Sequence, residues 1–191
     1  MKKILIGIIS IALISITSTA HAQENEINNS NNLKEQAFEI GKKYKIGETL
    51  DKNDEIIVKR AMEQDKNTEQ NGIQPRKLVS GTKKFNKNNG KLQLRGSCNY
   101  NFWKSPVSNY YNCKVTASKK GSKSTKATLR HIGYGAGTKG IIKSYDRTFS
   151  NSAKKSSVSV AHKESYTGLT GWGVFKGTAK SGGTSVTQTL Q

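Results

Sequence analysis

The stretch Lys91 to Ala117, KLQLRGSCNYNFWKSPVSNYYNCKVTA, constrains this chain more than any other. Leu92, Leu94, Cys98, Tyr100 and Phe102 alternate with Gln93, Arg95, Ser97, Asn99 and Asn101. That period of two is the signature of a strand with one buried face. A return strand carries Tyr111, Cys113, Val115 and Ala117 on one side, with Asn112, Lys114 and Thr116 on the other. Ser105-Pro106 and Ser108-Asn109 between them supply turn chemistry. Cys98 and Cys113 therefore fall on the apolar faces of two strands and are expected to join across a hairpin as a disulfide. Closing such a loop stabilises a small domain by about 3 kcal/mol in the chain-entropy model. Tyr100, Phe102 and Tyr111 are in phase with the cysteines and belong to the core. Trp103 and Tyr110 are out of phase near the hairpin tip, which makes them candidate contact residues.

The pattern continues downstream. Strands are expected over Lys126–Tyr134, Gly140–Phe149, Ser157–His162, Gly171–Ala179 and Ser185–Leu190, separated by Gly-, Ser- and Asn-rich turns. With no helical periodicity between them, the fold class is mainly β, an antiparallel β-sandwich or barrel with one disulfide. Gly133 to Lys139 (GYGAGTK) lacks the spacing of a phosphate-binding loop and reads as a hairpin turn. Gly171-Trp172-Gly173 is expected to bend a strand while Trp172 covers one end of the core.

The other end of the chain reads differently. Residues 1–22 have the form of a signal peptide: Lys2-Lys3, an apolar run from Ile4 to Ile16, then Ala20-His21-Ala22. The run is too short to span a bilayer. Secretion is the expected localisation, and two cysteines in an exported chain favour a disulfide over a metal site. Their spacing with the histidines fits no standard zinc motif, so neither metal nor cofactor is expected. Residues 23–76 form a mildly acidic helical segment and linker. Leu33, Ala37, Ile40 and Tyr44 line one helix face, with Asn32 as N-cap and Gly47 as stop. A second short helix is expected from about Asp51 or Asn53 to Gln64. Arg76-Lys77, after a polar linker, is a candidate processing site, so the segment is a possible propeptide preceding a basic β domain at 77–191.

Charge divides the chain at the same place. Residues 24–74 hold eleven acidic and eight basic side chains, whereas residues 75–191 hold two acids, Asp146 and Glu164, against twenty-two Lys and Arg. Solubility alone does not call for a domain almost devoid of acid. A polyanion partner is therefore expected, either an anionic cell-wall polymer or an anionic lipid surface. Nucleic acid is a weaker candidate, because no recognition-helix, RRM or OB pattern is present. The candidate binding residues are Trp103, Tyr110, Lys119, Lys120, Lys123, Lys139, Lys143 and Arg147.

Catalytic signals are sparse. His162 and Glu164 share a strand face and form the best candidate acid–base pair, with His131 a further candidate and Arg130 or Arg147 placed to meet phosphate charge. No G-x-S-x-G elbow occurs. The general plan (signal, acidic segment, basic β domain) is similar to that of secreted bacterial antimicrobial or toxin precursors. The sequence-level expectation is a secreted cationic effector that binds the anionic bacterial envelope. The alternatives are a non-killing protein retained on the producer's own acidic wall, and a secreted ribonuclease.

Overall fold

The computed structural model describes residues 32–67, 79–102, 109–121, 124–168 and 170–190. The signal segment, the Arg76-Lys77 site, Trp103 and Lys123 lie outside the described residues. Helix α1 covers residues 32–43 and α2 covers Lys52–Asn67. Eight strands follow: β1 (Val79–Asn88), β2 (Leu92–Phe102), β3 (Asn109–Lys119), β4 (Thr125–Gly137), β5 (Gly140–Ala153), β6 (Ser157–Tyr166), β7 (Trp172–Ser181) and β8 (Thr184–Leu190).

The strands form two antiparallel four-stranded sheets, ordered β1-β2-β3-β6 and β5-β4-β7-β8. They pack face to face as a sandwich around Phe85, Leu92, Leu94, Tyr100, Phe102, Tyr111, Val115, Leu129, Phe175 and their neighbours. In the β2–β3 register Cys98 stands directly opposite Cys113. The two are disulfide-bonded, with Cα atoms 4.1 Å apart, inside the core. The alternation read from the sequence is thus the alternation of burial. The GYGAGTK stretch ends β4 in a two-residue turn, with Gly137 paired to Gly140.

The helices add a third layer. α1 and α2 lie on the outer face of the second sheet, where Ala37, Phe38, Ile40, Leu50, Val58 and Ala61 enclose Ile132, Tyr134, Ile141, Trp172 and Val174. Each helix alone is of marginal length; the apolar stripe of the sheet gives both something to bury. α1 comes so close that a Cβ on Gly41 would sit 2.5 Å from the Tyr134 hydroxyl, which donates to the Ala37 carbonyl. Gly47, at φ +87°, turns the chain after α1 in the left-handed region. Trp172 belongs to this second cluster, not to an end of the sandwich core as its Gly-Trp-Gly context suggested. Its indole donates to Asp65 Oδ2 at 3.3 Å.

Strand β1 is absent from the sequence expectation. Its sequence, VSGTKKFNKN, has one buried aromatic, Phe85, and is otherwise mostly polar. An edge strand needs to bury little, and lysines on it deter pairing with other chains.

Candidate binding surfaces and the buried polar seam

The outer face of the first sheet follows from register and alternation. Once Leu92, Leu94, Cys98, Tyr100 and Phe102 point inward, the intervening side chains must point out. Five outward positions on each of four strands give twenty in all. Four are cationic: Lys84 on β1, Arg95 on β2, Lys114 on β3 and Lys163 on β6, and all four are exposed. The rest are Asn or Gln, Ser or Thr, Tyr110 and Ala161; none is acidic. Neighbouring strands are tied across this face by Thr82 Oγ1 donating to Asn99 Oδ1 (2.7 Å) and by Thr116 and Ser159 hydroxyls 2.8 Å apart. Lys163 Nζ lies 5.9 Å from the centre of the Tyr110 ring. Among the described residues, no ion pair involves any of the four cations.

The opposite face of the molecule is different. On the second sheet Lys176 is paired with Glu35 and Glu39 of α1, while Lys83, on edge strand β1 of the first sheet, reaches Asp65 of α2 at 3.5 Å. Acidic side chains of the helical segment thus neutralise cations locally. Beyond the helices, Lys126 and Lys180 stand paired and exposed among Ser and Thr residues.

The candidate cations named from sequence separate into distinct places. Lys119 and Lys120 line a groove of about 430 Å³ at the end of the sandwich, with Lys91 and the Gly90 and Gly182-Gly183 turns. Lys139 is exposed in the β4–β5 turn, and Arg147 is exposed on edge strand β5. Lys143 is a correction: it is buried, its Nζ donating to the Tyr44 carbonyl (2.8 Å) and pairing with Asp146 (2.5 Å). The cause is a register shift between β4 and β5. It places Lys143 beside Tyr134, on the helix-covered face, where it cannot meet a partner. Asp146 also takes Arg130 in a two-pronged pair, at 2.9 and 2.8 Å. Burial would raise the Asp146 pKa, but the bonds from Arg130 and Lys143 outweigh it and hold the carboxyl below its ordinary value. Arg130 is therefore committed to a structural pair.

The proposed acid–base pair does form. His162 Nε2 lies 3.1 Å from Glu164 Oε2. The same oxygen also accepts from the Tyr145 hydroxyl and, at 3.2 Å, from Tyr111, while Tyr111 and Tyr145 hydroxyls are 2.8 Å apart. Burial works to raise the Glu164 pKa, and is outweighed by the bonds from Tyr145, His162 and Tyr111, which lower it. Both tyrosines are pushed up, first by burial. A carboxylate held ionised by three donors is a poor proton carrier. Chemically the cluster is a clasp between edge strands β5 and β6, with the His162 ring stacked on Phe149. His131, the other catalytic candidate, is also corrected: it is wholly buried between the sheets, and among the described residues neither ring nitrogen has a hydrogen-bond partner. Its ring stacks on Phe175 at 4.3 Å and meets the Tyr111 ring at 4.7 Å. Burial lowers its pKa to about 3. It cannot exchange protons with a substrate from that position. Among the described residues, no group of three or more His, Cys, Asp or Glu is placed to hold a metal ion.

Sequence reasoning placed Tyr110 on a contact surface, and the structure puts it on the outer face. It passed over Lys84, Arg95, Lys114 and Lys163, because single cations on separate strands form no cluster in the linear chain. Their common signal is phase: each is opposite in alternation to the buried residues of its strand.

No family model matches the chain, and no curated protein matches it. Among solved structures, the chain is similar to one described as "X-ray structure of Northeast Structural Genomics Consortium target SoR45", at 10% identity. That likeness covers 61% of this chain and 82% of that one, with a TM-score of 0.24, and carries no argument about function.

Proposed function

We propose that this protein is an exported cationic effector that acts by binding anionic polymers of a bacterial envelope. The observation that carries the reading is the outer face of the first sheet: twenty positions with no acid, and four cations that make no ion pair among the described residues. A face with no counter-charge of its own leaves a positive potential that an external anion can meet. Export is supported by the form of residues 1–22 and by the buried Cys98–Cys113 disulfide.

The helices do not stand in the way. They cover the second sheet, on the far side of the sandwich, and their acids engage Lys176 and Lys83. Binding through the first sheet therefore requires no prior removal of the two helices. The test is retention of the exported chain on bacterial wall fragments, followed by addition of purified protein to growing cultures of other strains. Retention with growth inhibition supports the effector reading. Retention without inhibition in any strain replaces it with a non-killing protein of the producer's own wall. Cleavage of RNA that is lost in His162→Ala would replace both with a nuclease.

A further inference from the structure

We propose that the outer face of the first sheet is a track for one kind of chain, a polyol-phosphate polymer, laid across the strands and met by one cation on each. The proposal rests on the reading of the protein as a binder of envelope polymers, and it names the face and the ligand chemistry.

The register defines the track. Lys163 is paired with Asn112, one outward row from Lys114; Lys114 is paired with Ser97, one outward row from Arg95; Arg95 is paired with Asn86, one outward row from Lys84. Each step crosses one strand and one outward row; the first two run the same way along the strands and the last turns back, so that Lys84 shares a row with Lys114. Adjacent strands are about 4.8 Å apart and successive outward residues about 6.8 Å, so each diagonal step is about 8 Å. A glycerol phosphate unit at full extension spans close to the same distance, and long Lys and Arg stems absorb the difference. Between the cations stand Asn99, Asn112, Ser97 and Thr116, which offer hydrogen-bond donors and acceptors to hydroxyls. A polymer that alternates anionic groups with hydroxyls matches that alternation of charge and amide.

Two other anions fit the face less well. A lipid surface calls for apolar side chains to enter it, yet among the described residues Tyr110 and Ala161 are the face's only non-polar positions. Among the described residues, the exposed large apolar side chains, Ile46 and Ile56, are on the helical segment. Single-stranded nucleic acid calls for successive aromatic platforms, and the face has one aromatic ring, already beneath Lys163.

The test measures binding of the exported chain to immobilised, deacylated poly(glycerol phosphate) at about 0.15 M salt, with RNA and anionic vesicles in parallel arms. Two fourfold variants remove equal charge: Lys84→Gln/Arg95→Gln/Lys114→Gln/Lys163→Gln, and Lys126→Gln/Lys154→Gln/Lys155→Gln/Lys180→Gln, in which Lys154 and Lys155 are exposed in the turn between β5 and β6. The first is expected to weaken binding by about thirtyfold or more, since each cation near an anionic array carries a factor of a few. The second is expected to change it less than threefold. Single Arg95→Gln and Lys114→Gln variants, each expected to lose a factor of a few, keep the test decisive if the fourfold variant does not fold. Equal losses in the two fourfold sets would show that net charge alone binds, and would overturn the track while leaving the proposed function standing. Tighter binding of RNA or vesicles through the same four residues would overturn the choice of polymer. Failure of the unmodified protein to bind any of the three would remove the proposed function itself.

Discussion

His131 offers a sharp physical test of the fold. Its ring is wholly buried against Phe175, Phe102, Tyr111 and Tyr145, with neither nitrogen hydrogen-bonded among the described residues. Burial takes its pKa from 6.5 to about 3. Below pH 6.5 the unfolded chain binds a proton at this site that the folded chain does not. Stability is therefore fully present above pH 6.5 and falls as the pH drops through the window down to about 3. The slope is about 1.4 kcal/mol per pH unit, so at pH 5 the loss from this residue is about 2 kcal/mol. His131→Leu has similar volume, removes the titration and removes two orphaned polar atoms. At pH 7.5 the variant is expected to match or exceed the parent by about 1 kcal/mol. At pH 5 its advantage should grow by about a further 2 kcal/mol. Urea unfolding followed by circular dichroism at pH 7.5, 6 and 5 measures both terms. A gap between the two proteins that does not change with pH would show that His131 titrates in the folded state, and so that the interior is not dry there.

Removing the disulfide with Cys98→Ala/Cys113→Ala should cost about 3 kcal/mol, read as a fall of about 10 °C in Tm, with the antiparallel sheets retained by circular dichroism. Gly41→Leu places a side chain against Tyr134 and Ile132; α1 should lose protection from hydrogen exchange while β2 and β3 keep theirs and polymer binding stays within twofold. Glu164→Gln weakens the clasp to Tyr145, Tyr111 and His162 and should destabilise the fold by about 1–3 kcal/mol, without altering polymer binding.

The core of the sandwich was legible because alternation is a local signal: Cys98, Tyr100, Phe102, Tyr111 and Cys113 each announced their side of the sheet. The five later strands were legible for the same reason, though β4, β5, β6 and β7 extend further into polar sequence than the apolar residues alone indicated. Strand β1 was not, because an edge strand can bury a single Phe85 and still pair along its length. The docking of α1 and α2 was hidden as well. Their apolar stripes were visible, but the surface that receives them is built from Ile132, Tyr134, Ile141, Trp172 and Val174 on three different strands. Lys143 misled because a shift of register changes which face a side chain takes. The four cations of the outer face were each visible as polar alternates. Only the pairing of β1, β2, β3 and β6 sets them side by side.

The measurement closest to the central claim is a lysine-reactivity footprint. The exported chain is acetylated briefly, with and without saturating poly(glycerol phosphate), and each lysine is quantified by mass spectrometry. The structure leads to strong protection of Lys84, Lys114 and Lys163, with Lys126 and Lys180 on the opposite sheet reacting as in free protein. Protection spread evenly over both sheets, or concentrated on Lys126 and Lys180, would contradict a binding face on the first sheet.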